Sequence, residues 1–259
     1  MTERVVLCSP FAGYESAYMA RWAQAYALMA ERTGATAIWL DNSADEDFGK
    51  ELRAVAEAMP IPVRIMAIPL RIGDRNTGPG KNYLVCANAQ LLIAEAKRLA
   101  KDPQGHYFSV ESDVFVPVGA PEQLLADLEA HPALAAVSGA VSEGGWMENQ
   151  GTMAWRIQRK AAPSILPAAN GHISWYEPEF RDGIELVDAT PFGCLMVALE
   201  TFDVLPPVAT QFPRLGWDQE WGERAWAIGR PVAVDWAVRC EHHRNLVERD
   251  VWFAENANK

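Results

Sequence analysis

Long apolar runs, clustered cysteines and an excess of basic residues are all missing from this chain of 259 residues. No run approaches the ~18 apolar residues that a membrane-spanning helix needs. The start, Met1-Thr2-Glu3-Arg4, leads straight into a short apolar stretch without the apolar core and small-residue cleavage site of a secretory leader, so a cytoplasmic protein is expected. The four cysteines, Cys8, Cys86, Cys194 and Cys240, show no CxxC or zinc-like spacing, which argues against a disulfide framework or a structural zinc site. With 23 Lys and Arg against 34 Asp and Glu, the formal charge is −11. Nonspecific nucleic-acid affinity comes mainly from phosphate neutralisation, so a broad polyanion-binding surface is not expected, although a small basic pocket is compatible with the total. No repeat, low-complexity tract or Ser/Gly-rich linker divides the chain, and residues 1–259 read as one domain. Three familiar motifs are absent as well. There is no GxGxxG and no GxSxG, and Gly78-Pro79-Gly80-Lys81 lacks the Walker spacing and continues as Lys-Asn. Dinucleotide binding, P-loop chemistry and an α/β-hydrolase elbow are therefore all poorly supported.

What is present is an alternation of short apolar runs and amphipathic segments, in a composition that is 49% hydrophobic and 22% charged. Residues 5–8, 36–40, 63–68 and 107–110 read as buried strands. The spacing predicts helices over residues 15–32, 48–59 and from about residue 80 to 100, with Gly34 as a helix-terminating glycine. Such regular alternation predicts an α/β fold with a doubly wound, mostly parallel sheet flanked by helices, whose ligands bind beyond the carboxyl ends of the strands. The later half is less regular. A helix over residues 122–130 and strands over 135–141 and 195–199 are followed by a helix over 217–228 closed by Gly229 and a strand over 232–238. Residues 142–182 mix Gly, Pro, Trp and charge without a sustained period, which suggests a functional loop.

Polar clusters fall at the predicted strand ends: Ser9-Pro10, Asp41-Asn42-Ser43, the loop from Arg71 through Arg75 to Lys81 and Asn82, Glu111-Ser112-Asp113, and Asp218 with His242-His243. Residues i and i+2 at a strand end point to the same side, so Glu111 and Asp113 can face one ligand, and paired oxygens suit a hard divalent cation. Each cluster also has a plain structural reading. The acidic pair can be a turn, Asp41 an Asx turn, Asp218 a helix cap, and the histidines a solvated turn. Ten tryptophans are a heavy load. Trp146, Trp155, Trp175, Trp217 and Trp221 lie in polar surroundings where sugar or base stacking competes with ordinary packing.

Taken in order, these clusters resemble the GT-A glycosyltransferases, particularly family 2-like nucleotide-sugar transferases. Residues 5–10 match a first strand and its Ser/Thr-Pro-like loop, and Leu40-Asp41-Asn42-Ser43 an Asp-rich turn. Residues 76–82 match the loop that opens a helix, and Glu111-Ser112-Asp113 the metal-binding DxD. Pro191-Phe192-Gly193-Cys194-Leu195-Met196 resembles the glycine-containing strand beside the acceptor pocket, and Gly216-Trp217-Asp218-Gln219-Glu220 an acidic helix start. Residues 225–235 resemble the helix-glycine-strand sequel, and His242 or His243 stands where many members place a metal ligand. The resemblance spans about residues 5–243. Two positions depart from it: Glu111 replaces the first Asp of the metal motif, and Trp217 replaces an acid before Asp218.

The resemblance implies a GT-A-like single domain with a nucleotide-sugar-binding half (about residues 1–120), an acceptor-binding half (about 121–245) and a tail (246–259). It implies transfer of a hexosyl or pentosyl group from a nucleotide diphosphate sugar to a hydroxyl with Mn²⁺ or Mg²⁺. Glu111, Asp113 and His242 would be the metal residues, Ser9, Pro10, Asp41, Arg71, Arg75, Lys81 and Ser112 would hold the donor nucleotide, and Asp218 would be the catalytic base of an inverting reaction. The acceptor is open among a glycan, a small molecule, a protein and a modified nucleic-acid base. Two other readings remain: a nucleotidyltransferase acting on a sugar phosphate, disfavoured by the absence of a Gly-rich loop after residue 8, and a noncatalytic carbohydrate- or nucleotide-binding module.

Overall fold

In the computed structural model, residues 4–11, 19–43, 45–68, 79–100, 104–143, 152–157, 173–176, 183–208 and 217–242 are described. The first half alternates as expected: β1 (Val5–Phe11), α1 (Met19–Thr33), β2 (Thr36–Asp41), α2 (Glu46–Glu57), β3 (Val63–Ala67), α3 (Pro79–Leu99) and β4 (His106–Val110). The remainder contributes β5 (Val114–Phe115), α4 (Ala120–Ala130), β6 (Ala136–Glu143), β7 (Thr152–Ile157), β8 (Ile173–Tyr176), β9 (Ile184–Val187), β10 (Cys194–Ala198), α5 (Thr201–Val204), α6 (Trp217–Ala227) and β11 (Val232–His242). All join one sheet of order β3-β2-β1-β4-β10-β6-β11-β5, with β7 and β8 extending from β6 and β9 pairing β11.

Strands β1 to β4, β6 and β11 run in one direction, whereas β10 is antiparallel to both β4 and β6. The chain winds outward from β1 through β2 to β3, then returns to place β4 on the other flank of β1. In sheets of this kind such a reversal, beyond the carboxyl ends of the strands, is the usual ligand site.

Alternation along the strands divides the core into two layers. Val5, Leu7, Trp39, Phe108 and Val110 face α1, α2 and α4, where they meet Trp22, Tyr26, Phe48, Leu52 and Leu124. Val6, Cys8, Ile38, Leu40 and Tyr107 face the opposite layer of α3, α5 and α6, with Leu92, Phe202 and Trp221. Because both faces are covered, these strands are apolar throughout rather than alternating, which is why they read from sequence as continuous runs. Each fully buried large side chain among them contributes roughly 1.5–3 kcal/mol.

Boundaries shift where pairing extends beyond the apolar signal. β1 continues through Ser9 and Pro10 instead of stopping before them, because it pairs with β2 as far as Phe11. Its pairing with β4 ends at Cys8, so the missing N–H of Pro10 falls where the strand has only one neighbour. Gly34 and Gly229, with φ of 62° and 75°, terminate helices as expected. Within the irregular stretch, β7 and β8 form an antiparallel pair. Among the described residues no helix is long and apolar enough to cross a membrane.

Candidate active site

β4 ends at Val110, and the chain turns at once. Val114 N–H donates to the Glu111 carbonyl (3.0 Å) and the Glu111 N–H donates to the Gly193 carbonyl (3.1 Å). The turn therefore leans on the loop before β10. It then forms the two-residue strand β5, which pairs with the end of β11 so that Val114 lies opposite His242. This short ladder brings His242 Nε2 to 3.2 Å from Asp113 Oδ2, with the two side chains 14% and 21% exposed. A ring proton donated to the carboxylate can hold that pair together, and so can a cation. A divalent cation bound here would find an oxygen donor in Asp113 and a nitrogen donor in His242, both part-buried.

Glu111 is part-buried beside Gly193, where a Cβ would come within 3.4 Å of Glu111 Oε2 and 2.9 Å of Val114 Cγ2. The glycine leaves room for both the acidic side chain and β5. Among the described residues, no group of three or more His, Cys, Asp and Glu side chains comes together as a metal cage. Asp113 and His242 converge, whereas Glu111 does not complete a three-ligand set with them. Ser112 between the two acids is buried.

The ends of β2 and β1 carry further polar residues. Asp41 closes β2 with an Asx turn, its Oδ1 accepting from the Ser43 N–H (3.0 Å) and hydroxyl (2.7 Å). Its Oδ2 lies over Gly49 of α2, only 2.7 Å from where a Cβ would stand. Thus the structural reading of Asp41 holds, and at least half its carboxylate is committed within the loop. Ser9 is fully buried near Tyr26 and Trp39, so its side chain lies in the core instead of at an open strand end, while Pro10 is part-buried.

In the later half of the chain, α6 begins at Trp217, whose ring packs on Phe192 with centroids 4.4 Å apart. Phe192 adjoins Gly193, so packing carries the start of α6 to the loop that supports Glu111. Asp218 follows, part-buried, with Oδ1 accepting from the Gln219 N–H at 2.9 Å. Desolvation pushes its carboxyl up to about 6, against the opposing effect of the backbone hydrogen bonds. Such a group is ionised at neutral pH yet basic enough to accept a proton.

Neither a protein-family model nor a curated protein sequence matches this chain. Solved structures do. GalNAc-T7 crystallised with UDP, GalNAc and Mn²⁺ superposes with a TM-score of 0.62 at 12% identity, covering 93% of this chain and 44% of that one. The mannosyltransferase PcManGT from Pyrobaculum calidifontis, in complex with GDP-Man and Mn²⁺, gives a TM-score of 0.60 at 13% identity, covering 97% of this chain and 60% of that one. The fold is GT-A-like. At these identities the likeness is one of architecture, and this chain spans less than two thirds of either structure's length.

Within the GT-A-like frame, several expected site residues lie outside the described residues: Arg71, Arg75, His243 and Trp146. Lys81 lies in the first turn of α3, and Trp155 and Trp175 are cross-strand partners on β7 and β8. Trp217 and Trp221 are core residues, the latter donating its Nε1–H to the Leu205 carbonyl at 2.8 Å. For these two, packing outweighs stacking on a ligand. Sequence reading missed β5, whose two residues are too few to show a period, and with it the pairing that sets His242 beside Asp113. It also missed Gly193 as the support of Glu111.

Proposed function

We propose that this protein is a metal-dependent glycosyltransferase that moves a hexosyl or pentosyl group from a nucleotide diphosphate sugar to an acceptor hydroxyl. The observation that carries the reading is the convergence of Asp113 and His242 at 3.2 Å beyond the carboxyl end of β4, beside the reversal in strand order. The GT-A-like architecture, seen in structures that hold UDP or GDP-Man with Mn²⁺, supports it.

In this reading Asp113 and His242 hold Mn²⁺ or Mg²⁺, with Glu111 contacting the ion, its water or the ribose. The ion, when bound, offsets the negative charge that develops on the leaving diphosphate. His242 serves as a neutral imidazole whose lone pair faces the ion. Arg71, Arg75 and Lys81 hold the phosphates. Pro10 and Ser112 shape the nucleotide cradle, Ser9 contributes to it through its backbone alone, and Asp41 orients the base or ribose directly or by ordering its loop. Asp218, at the start of α6, accepts the proton of the acceptor hydroxyl if the reaction inverts the anomeric centre, and orients that hydroxyl if it retains it. Trp146, Trp155 and Trp175 remain candidates for an acceptor-side wall; the acceptor class is a glycan, small molecule, protein or modified base.

Calorimetry with UDP-, GDP- and dTDP-sugars tests the proposal. At least one donor is expected to bind with Mn²⁺ present and to lose most of that affinity in chelator. Absence of binding across the panel would remove the reading, and chelator-insensitive binding would favour a noncatalytic module.

A further inference from the structure

Two aspartates at some distance in sequence from the candidate metal ligands meet inside the core. Asp127 of α4 and Asp235 of β11 are 8% and 2% exposed. One oxygen of each is accounted for: Asp127 Oδ1 accepts from Gln123 Nε2 at 3.1 Å, and Asp235 Oδ1 accepts from the Ala237 N–H at 2.9 Å. The Oδ2 of each is buried, and among the described residues neither accepts a hydrogen bond from any other donor. α4 packs on β11, and Asp235 acts on the Asp127 carboxyl as a side-chain hydrogen-bond partner and by its charge. Two ionised carboxylates facing each other in a dry space would leave both oxygens without a donor and would repel; one proton between them removes both costs.

Asp235 also stands where β11 departs from regular pairing. Its partner on β6 is Gly139, but the next pair is Arg239 with Ala140, so Trp236, Ala237 and Val238 bulge out of the ladder. A Cβ at Gly139 would meet Cys240 Sγ at 2.8 Å and the Val238 carbonyl at 3.0 Å, so the bulge folds tightly over that glycine. On the far side Trp236 is tied to β9, its N–H donating to the Gly183 carbonyl (3.0 Å) and its Nε1–H to Glu185 Oε2 (3.1 Å). After the bulge β11 runs straight to His242. Bulges re-aim the strand that follows them.

We propose that Asp127 and Asp235 share one proton between their Oδ2 atoms, and that this proton fastens α4 to the bulge of β11 and so sets the reach of His242 toward Asp113. The second clause rests on the metal-site reading above; the first does not. The pair acts through position, touching no reacting atom. The environment fits a shared proton: burial first, then the hydrogen bond and charge of Asp235, raise the Asp127 carboxyl to about 6. Opposing this are the Gln123 hydrogen bond and the charge of His131, whose Nδ1 lies 2.9 Å from the Asp127 carbonyl. The strand positions beside Asp235, Gly139 on β6 and Ile184 on β9, carry no charge; Glu185 follows Ile184 and is bonded to Trp236, and α1 meets α4 through Arg32 and Glu122. A carboxyl raised in the folded state stabilises it fully below the ordinary carboxylate range, and that contribution is lost as pH rises through about 6.

The test begins on the unaltered chain, with ¹³C-carboxyl-labelled aspartate followed by NMR from pH 4 to 9. One proton of the assigned Asp127–Asp235 pair is expected to persist to about pH 6, and the Asp127→Asn chain, with a permanent N–H donor, should lack that step. Ionisation of both carboxyls by pH 5 would overturn the shared proton. Mn²⁺ titration then tests the reach. At pH 8 the Asp127→Asn chain should bind Mn²⁺ several-fold more tightly than the unaltered chain, whose pair has lost its proton, and at pH 5.5 the two should agree. Equal affinities at both pH values would overturn the positioning clause. If the unaltered chain binds no Mn²⁺ at any pH, the metal-site reading and that clause fall together, while the NMR titration decides the shared proton by itself.

Discussion

Asp218 sets fold stability against the proposed chemistry in one side chain. Desolvation raises its carboxyl to about 6, so the protonated form is the one the fold favours. Its contribution is complete below the ordinary carboxylate range near ~4 and is lost as pH rises through about 6. A base must be ionised, so turnover should rise over the same interval in which this stabilisation disappears. Asp218→Asn is expected to leave stability at pH 4 nearly unchanged and to raise it at pH 8 by about 1–2 kcal/mol, after allowance for its partial exposure. Donor binding should survive while turnover falls about 100-fold or more. Urea denaturation at the two pH values, with calorimetry, measures this; a variant no more stable at pH 8 than at pH 4 relative to wild type would show that burial does not penalise the charge. At the other carboxylate, Asp113→Ala should lower Mn²⁺ affinity at least tenfold, comparable to one charge-assisted ligand. Unchanged metal dependence would reduce Asp113 to a turn residue.

The elements that carry these residues are held by close approach more than by polar bonds. Gly193 leaves space for Val114 Cγ2 and Glu111 Oε2, and Val114 is the partner of His242. Gly193→Ala should therefore cost roughly 1–3 kcal/mol by overpacking and should also weaken Mn²⁺ binding, since it displaces both halves of the turn. Loss of stability with metal affinity intact would separate β5 from the site. Gly49→Ala should likewise destabilise by about 1–3 kcal/mol, because its Cβ meets Oδ2 of the Asp41 carboxylate, which Ser43 holds in place through Oδ1; thermal unfolding at neutral pH reads this directly. Long buried strands were legible because both of their faces are apolar, and helices such as α2 because their apolar positions recur along one face. β5 was not, since two residues carry no period, and neither was the extension of β1 through Pro10, where a proline suggests an ending unless the neighbours are known. The bulge in β11 was equally hidden: Trp236 to Val238 continue the apolar run, and only the register against β6 shows that they have left it.

Across the whole molecule, the order of strand ends was the legible part of the site. Asp41, Glu111 and Asp113 follow apolar runs, and a parallel sheet gathers such ends on one side. Which side chains then face the crevice depends on turns and contacts that the order does not contain. Asp41 bends back to Ser43 and α2, Ser9 points into the core, and Asp113 finds His242. That last contact joins residues 129 positions apart, the second of them at the end of the last described strand. During synthesis strands β1 to β4 emerge long before β11, and long-range pairing forms late because loop closure must come first. A ribosome-bound chain that has not yet delivered β11 therefore lacks half of the proposed metal pair. Metal-dependent donor binding would then report that β11 has been delivered and has joined the sheet, and donor concentration would stabilise molecules with the sheet assembled over those without it by mass action.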